Sequence, residues 1–143
     1  MNPTVTPIPN KSFGAVVSGV DLNALTASTW QVIENAFHEY AALVFPAQFL
    51  SEPAQVEFAM RFGEIEILRP DSKAVQISNK KPDGTLYTPD DFRFQTLRGN
   101  EGWHMDSTYM PLAAKAGLLS AIELPASGGG ETELADMRTG YDA

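Results

Sequence analysis

Residues 99–108 (GNEGWHMDST) constrain the fold of this 143-residue chain more than any other stretch. His104 and Asp106 stand one residue apart. Side-chain direction along an extended backbone repeats every two residues, so on a strand both groups leave the same face. If the segment is a strand, the two side chains therefore stand together on one edge.

An imidazole nitrogen and a carboxylate oxygen on one edge make a two-point clip for a cation. They are two of the three protein ligands of a 2-His-1-carboxylate site, which binds Fe(II) and leaves positions open. Spacing alone is weak support. With two histidines and eight aspartates in the chain, chance supplies His-x-Asp about 0.11 times per chain, which makes the bare tripeptide unspecific. The competing reading is a strand-end histidine hydrogen-bonded to a nearby carboxylate.

An apolar fraction of 43% and this length suit one globular domain with a core of useful size. The formal net charge of −8 argues against nucleic acid or an anionic membrane as a partner through a basic surface. A small anionic substrate remains compatible, since one or two local cations would serve it. The absence of cysteine excludes disulfides, thiolate metal sites and cysteine nucleophiles. No basic and apolar leader opens the chain and no run of 18 apolar residues occurs, so a cytoplasmic location is expected.

In chain order, residues 1–11 are rich in proline and read as an extended arm. Residues 12–20 (SFGAVVSGV) read as a short strand. A helix should follow, capped by Thr26 or Ser28, with Trp30, Ile33, Phe37 and Tyr40 on one apolar face. His38 lies off that stripe and reads as a solvated residue. Residues 41–45 (AALVF), closed by Pro46, suggest a buried strand. A second helix is expected to start at Ser51 with Pro53 in its first turn, bury Val56, Ala59 and Met60, and end at Gly63.

Residues 64–68 and 74–78 are strand candidates, and Pro82-Asp83-Gly84 signals a turn. Residues 79–98 show little periodicity and read as a loop, either a lid or a surface excursion. Residues 117–124 (GLLSAIEL) suggest a strand, followed by a glycine turn at 127–131 (SGGGE) and a strand or helix start at 132–136. That glycine run lacks the Gly-Lys-Ser/Thr of a phosphate loop. Ser107 near His104 lacks the Gly-x-Ser-x-Gly elbow of a hydrolase.

Several segments in order resemble the taurine dioxygenase / 2,4-dichlorophenoxyacetate dioxygenase family of Fe(II)- and 2-oxoglutarate-dependent enzymes. They are Phe13-Gly14-Ala15 to Ser18-Gly19-Val20-Asp21-Leu22, then Phe58-Ala59-Met60-Arg61-Phe62-Gly63-Glu64-Ile65-Glu66, then Gly99-Asn100 with Trp103-His104-Met105-Asp106-Ser107-Thr108-Tyr109. Glu123-Leu124-Pro125 to Gly129-Gly130-Glu131-Thr132 follows. Ala135-Asp136-Met137-Arg138 with Tyr141-Asp142 is more similar to the aryloxyalkanoate branch than to the taurine branch.

The resemblance implies a mostly β fold with flanking helices, a double-stranded β-helix or jelly roll. It implies His104 and Asp106 as iron ligands, the Thr132 hydroxyl as a partner for a 2-oxoglutarate carboxylate, and Asn100 as a substrate-facing residue, with loop capping as the alternative for Asn100. Trp103 is expected to pack behind the metal strand. The implied cofactors are Fe(II), 2-oxoglutarate as cosubstrate and O2. The implied reaction hydroxylates a small organic acid, an aryloxyalkanoate or sulfonate, while 2-oxoglutarate becomes succinate and CO2. A homo-oligomer is compatible with a full-length form.

The family pattern also needs a distal histidine as third ligand and an arginine beyond it for the far carboxylate of 2-oxoglutarate. Neither follows Asp106 at the right place, since the later arginine, Arg138, comes too soon and the other histidine is His38. Residues 1–143 are thus expected to be a single domain, the N-terminal portion of a dioxygenase jelly roll, with 79–98 as a candidate lid. Such a chain should bind Fe(II) weakly and not turn over. The alternative is a non-catalytic, cupin-like binding or structural module.

Overall fold

The computed structural model describes residues 2–67, 70 and 73–142. It divides into two compact units, Met1–Ala54 with Leu119–Ala143, and Gln55–Leu118.

The first unit is built on a three-stranded sheet in the order β1 (Thr4–Pro7), β2 (Ala15–Ser18), β3 (Leu43–Val44). β1 pairs antiparallel with β2, placing Val5 opposite Val17, and β2 pairs parallel with β3, placing Ala15 opposite Leu43. A parallel pair cannot be joined by a tight turn. Helix α1 (Ala27–Tyr40) supplies the crossover and packs on β2 and β3. Alternation along β2 sends Ala15 and Val17 inward, where they meet a core that includes Leu22, Ile33 and Ala36, all buried. The expected arm at residues 1–11 thus contains a strand. Its prolines are tolerated because β1 is an edge and Pro7 ends it.

Helix α1 starts as the sequence suggests. Thr26 is its N-cap, and its hydroxyl accepts from the Thr29 N–H at 3.1 Å. Ala41, at φ 60, closes the helix with its N–H donating to the Phe37 carbonyl at 2.9 Å. Gly14 has φ 90, a backbone conformation in which any side chain would be strained, and a Cβ there would also press on Ile8 Cδ1 at 3.0 Å. Helix α4 (Met137–Asp142) is tied to the end of α1. Arg138 grips the Asp136 carboxylate through Nε at 2.9 Å and Nη2 at 3.2 Å, while Nη1 donates to the Glu39 carbonyl at 3.1 Å.

Helix α2 (Glu52–Ala59), whose last five residues belong to the second unit, buries Phe58 edge-on against Phe62, with ring centroids 5.7 Å apart. Ser51 caps it as expected, its hydroxyl accepting from the Ala54 N–H at 3.4 Å. Met60, expected in the buried stripe, is exposed, because the helix ends at Ala59 and Phe58 takes the inward position. The turn at Pro82-Asp83-Gly84 is present between a bridge of Lys80 with Leu86, and Asp83 accepts from the Thr85 N–H and hydroxyl at 3.0 and 2.7 Å. Residues 79–98 are not all loop. Helix α3 (Phe92–Gly99) occupies the end of that stretch, with Asp91 as its N-cap. Asp91 accepts from the Thr88 N–H at 2.7 Å and pairs with Lys81 at 3.1 Å.

Three strand candidates do not form ladders. Residues 64–67, 74–78 and 117–124 are irregular, with residue 68 outside the described set. Of the run 41–45, only Leu43 and Val44 join the sheet, and Val44 is half exposed rather than buried. Strand propensity is realised only when a neighbouring strand accepts the backbone hydrogen bonds, which explains all four departures. Helical residues outnumber strand residues in the described elements, so the architecture seen is a small α+β arrangement rather than a mostly β one.

Candidate metal centre

His104 and Asp106 lie in the second unit, just after α3. The expected strand is absent: residues 103–105 are irregular and a turn runs from Asp106 to Tyr109. The two side chains converge all the same, with His104 Nε2 3.2 Å from Asp106 Oδ1. The turn performs what a strand edge would have done.

The imidazole is oriented from behind. His104 Nδ1 lies 2.8 Å from the Gly102 carbonyl oxygen. A carbonyl only accepts, so Nδ1 carries a proton and donates to Gly102, which fixes the ring's orientation and turns Nε2 toward the carboxylate. The separation is within hydrogen-bonding reach, and it also sets a nitrogen and a carboxylate oxygen side by side as a donor pair for a cation. Neighbouring ligands on an octahedral ion with bonds of about 2.1 Å are separated by roughly 3.0 Å. The observed 3.2 Å therefore fits a cis pair, and nitrogen with carboxylate oxygen is the donor set of a 2-His-1-carboxylate centre. Both side chains are open to solvent, His104 at 51% and Asp106 at 84% exposure, so an ion could reach them. Among the described residues, no cluster of three or more His, Cys, Asp or Glu side chains able to hold a metal ion occurs.

The turn has a support that sequence reasoning missed. Ser107 has φ 60, an unfavourable region for a residue with a Cβ, and its hydroxyl donates to Glu66 Oε2. Tyr109 Oη donates to the other oxygen, Glu66 Oε1, at 3.5 Å. Partial desolvation lifts the Tyr109 phenol above its ordinary range, and the negative charges of Glu66 and Asp106 add to the shift. Nothing in the local sequence pattern marks Glu66, since 41 residues separate it from Ser107.

Asn100 is the C-cap of α3, with its N–H donating to the Leu97 carbonyl at 3.0 Å, which is the capping role weighed for it. Trp103 does not pack behind a metal strand. It is 71% exposed, because with no strand there is no covered face beneath it. Thr132 belongs to the first unit, in an exposed irregular stretch after Gly128, Gly129 and Gly130, all at positive φ. The Gly128 N–H donates to the Pro125 carbonyl at 3.2 Å, so the glycine turn is present, though no hairpin strands flank it. His38 is an exposed residue of α1, as read from the sequence. No helix among the described residues is long and apolar enough to cross a membrane.

The family model described as "Taurine catabolism dioxygenase TauD, TfdA family" matches residues 4–143. The (S)-phenoxypropionate/alpha-ketoglutarate-dioxygenase of Sphingobium herbicidovorans is 47% identical over 134 residues, covering 92% of this chain and 45% of that protein. The enzyme of the same name from Delftia acidovorans is 41% identical over 143 residues, covering 97% of this chain and 48% of that one. Among solved structures, AAD-2 in complex with Mn(II) and N-oxalylglycine superimposes with a TM-score of 0.69 at 31% identity, covering 79% of this chain and 39% of AAD-2. This chain belongs to the TauD/TfdA dioxygenase family. It spans about half the length of the curated relatives it matches.

Proposed function

We propose that the chain is part of an Fe(II)- and 2-oxoglutarate-dependent dioxygenase that hydroxylates a small organic acid of aryloxyalkanoate or sulfonate type and releases succinate and CO2. The observation that carries this reading is the family match over residues 4–143, and the 3.2 Å approach of His104 Nε2 to Asp106 Oδ1, with Nδ1 anchored on Gly102, is compatible with it. The names of the relatives, phenoxypropionate/alpha-ketoglutarate-dioxygenases, support the aryloxyalkanoate side of the substrate class.

In this reading His104 and Asp106 hold the ion, and Asp106 offsets part of its charge. The bound metal supplies the redox chemistry that couples O2 to decarboxylation of 2-oxoglutarate. The Thr132 hydroxyl donates to a carboxylate of 2-oxoglutarate, Asn100 faces the substrate, and part of 79–98 serves as a lid. The chain is proposed to be the N-terminal portion of a jelly roll. The cytoplasm is its proposed location.

Two ligands are short of a triad, so the 143-residue polypeptide is expected to bind Fe(II) weakly and to form no succinate. The contact between His104 and Asp106 would equally suit a non-catalytic cupin-like module in which the two only pair with each other. Anaerobic equilibrium dialysis separates the readings. The dioxygenase reading expects Fe(II) retention that His104→Ala abolishes. Retention unchanged in His104→Ala, with altered stability alone, would favour the module, and succinate formation by the chain would contradict its expected inactivity.

A further inference from the structure

The geometry points to Glu66 as a positioning residue for the His104 and Asp106 pair, acting through Ser107 and Tyr109. The inference rests on the reading of His104 and Asp106 as metal ligands and adds a residue to that site. Among the described residues, Ser107 alone is both polar and buried, at 6% exposure. It follows Asp106 directly, in a left-handed conformation that a serine adopts only when its surroundings hold it.

Glu66 supplies that hold. One carboxylate oxygen accepts from the Ser107 hydroxyl and the other from Tyr109 Oη, so a single side chain spans the turn at two points. The turn is also closed within itself. The Met110 N–H donates to the Ser107 carbonyl at 3.0 Å, and the Thr108 hydroxyl to the Met105 carbonyl at 3.2 Å. The turn that begins at Asp106 is thereby braced by Glu66, 41 residues before Ser107 in the chain. His104 has its own anchor on the Gly102 carbonyl, so the two ligands are aimed by independent supports. Residues that hold ligands in place typically change metal affinity by 10–100-fold when removed.

Mn(II) serves as a redox-stable probe, with its affinity for the 143-residue chain read by the loss of the free-ion EPR signal at a temperature where circular dichroism shows each variant folded. Ser107→Ala and Glu66→Ala should each weaken Mn(II) binding roughly tenfold or more, and the double variant should be no weaker than Glu66→Ala, because both remove one linkage. Ser107→Ala removes a single oxygen and keeps the test available if Glu66→Ala does not fold. Native affinity in Ser107→Ala, with binding lost in His104→Ala, would overturn the role of Glu66 and leave the metal site standing. Unchanged binding in His104→Ala would overturn the metal reading and this inference with it.

Discussion

Arg138 and Asp136 show how much one side-chain pair can do where the guanidinium is half exposed and the carboxylate largely covered. The Arg138 guanidinium beside Asp136 holds that carboxyl well below the usual carboxylate range, with bonds from Ser12 and Thr139 adding to the effect. A carboxyl whose folded value is depressed stabilises the fold above its unfolded value, about pH 3.9, and loses that contribution as pH falls toward the folded value. In Arg138→Met, Asp136 should therefore titrate closer to pH 4 in a carbon-detected NMR titration, whereas the native carboxyl should remain ionised there. A native Asp136 that titrates at its ordinary value would show that the fork seen on Arg138 is not maintained in solution. The candidate ligands differ from this pair in having supports besides each other, the Gly102 carbonyl behind His104 and Glu66 beneath the turn that follows Asp106.

At the scale of elements, the sequence discloses what is encoded locally and hides what depends on a partner. Helix α1 was legible because a cap at Thr26 and an apolar stripe through Ile33 both act within one helix. Strand β2 was legible from its β-branched residues between glycines. Helix α3 was not, because no residue of it is buried and no apolar stripe distinguishes it from loop. The candidates at 74–78 and 117–124 had the composition of strands, but composition does not supply a neighbour. In the site, the meeting of His104 with Asp106 was readable from spacing, although the turn that delivers it and the Glu66 carboxylate beneath it were not. Two substitutions test the local account by urea unfolding. Thr26→Ala should cost about 1 kcal/mol through the lost cap. Ile33→Ala, at a fully buried position, should cost about 2–5 kcal/mol. A cost near zero for Ile33→Ala would mean that α1 does not cover the sheet.

At the scale of the whole molecule, a net charge of −8 coexists with large apolar side chains left in solvent. Ile122 and Leu124, at 88% and 75% exposure, stand two residues apart on a strand-like sequence that has no ladder partner among the described residues. Such a segment invites pairing with another chain. Sedimentation velocity should show concentration-dependent association that Ile122→Lys reduces, and a monodisperse monomer at about 100 μM would contradict this expectation. Family membership and the half-length match make the metal pair the point on which the functional account turns. The most direct measurement is the electron spin-echo modulation of Mn(II) bound to the chain, which detects nitrogen coordinated to the ion. The account predicts coupling to one histidine nitrogen in the native chain and none in His104→Ala. Nitrogen coupling that survives in His104→Ala, or is absent from the native chain with Mn(II) bound, would contradict it.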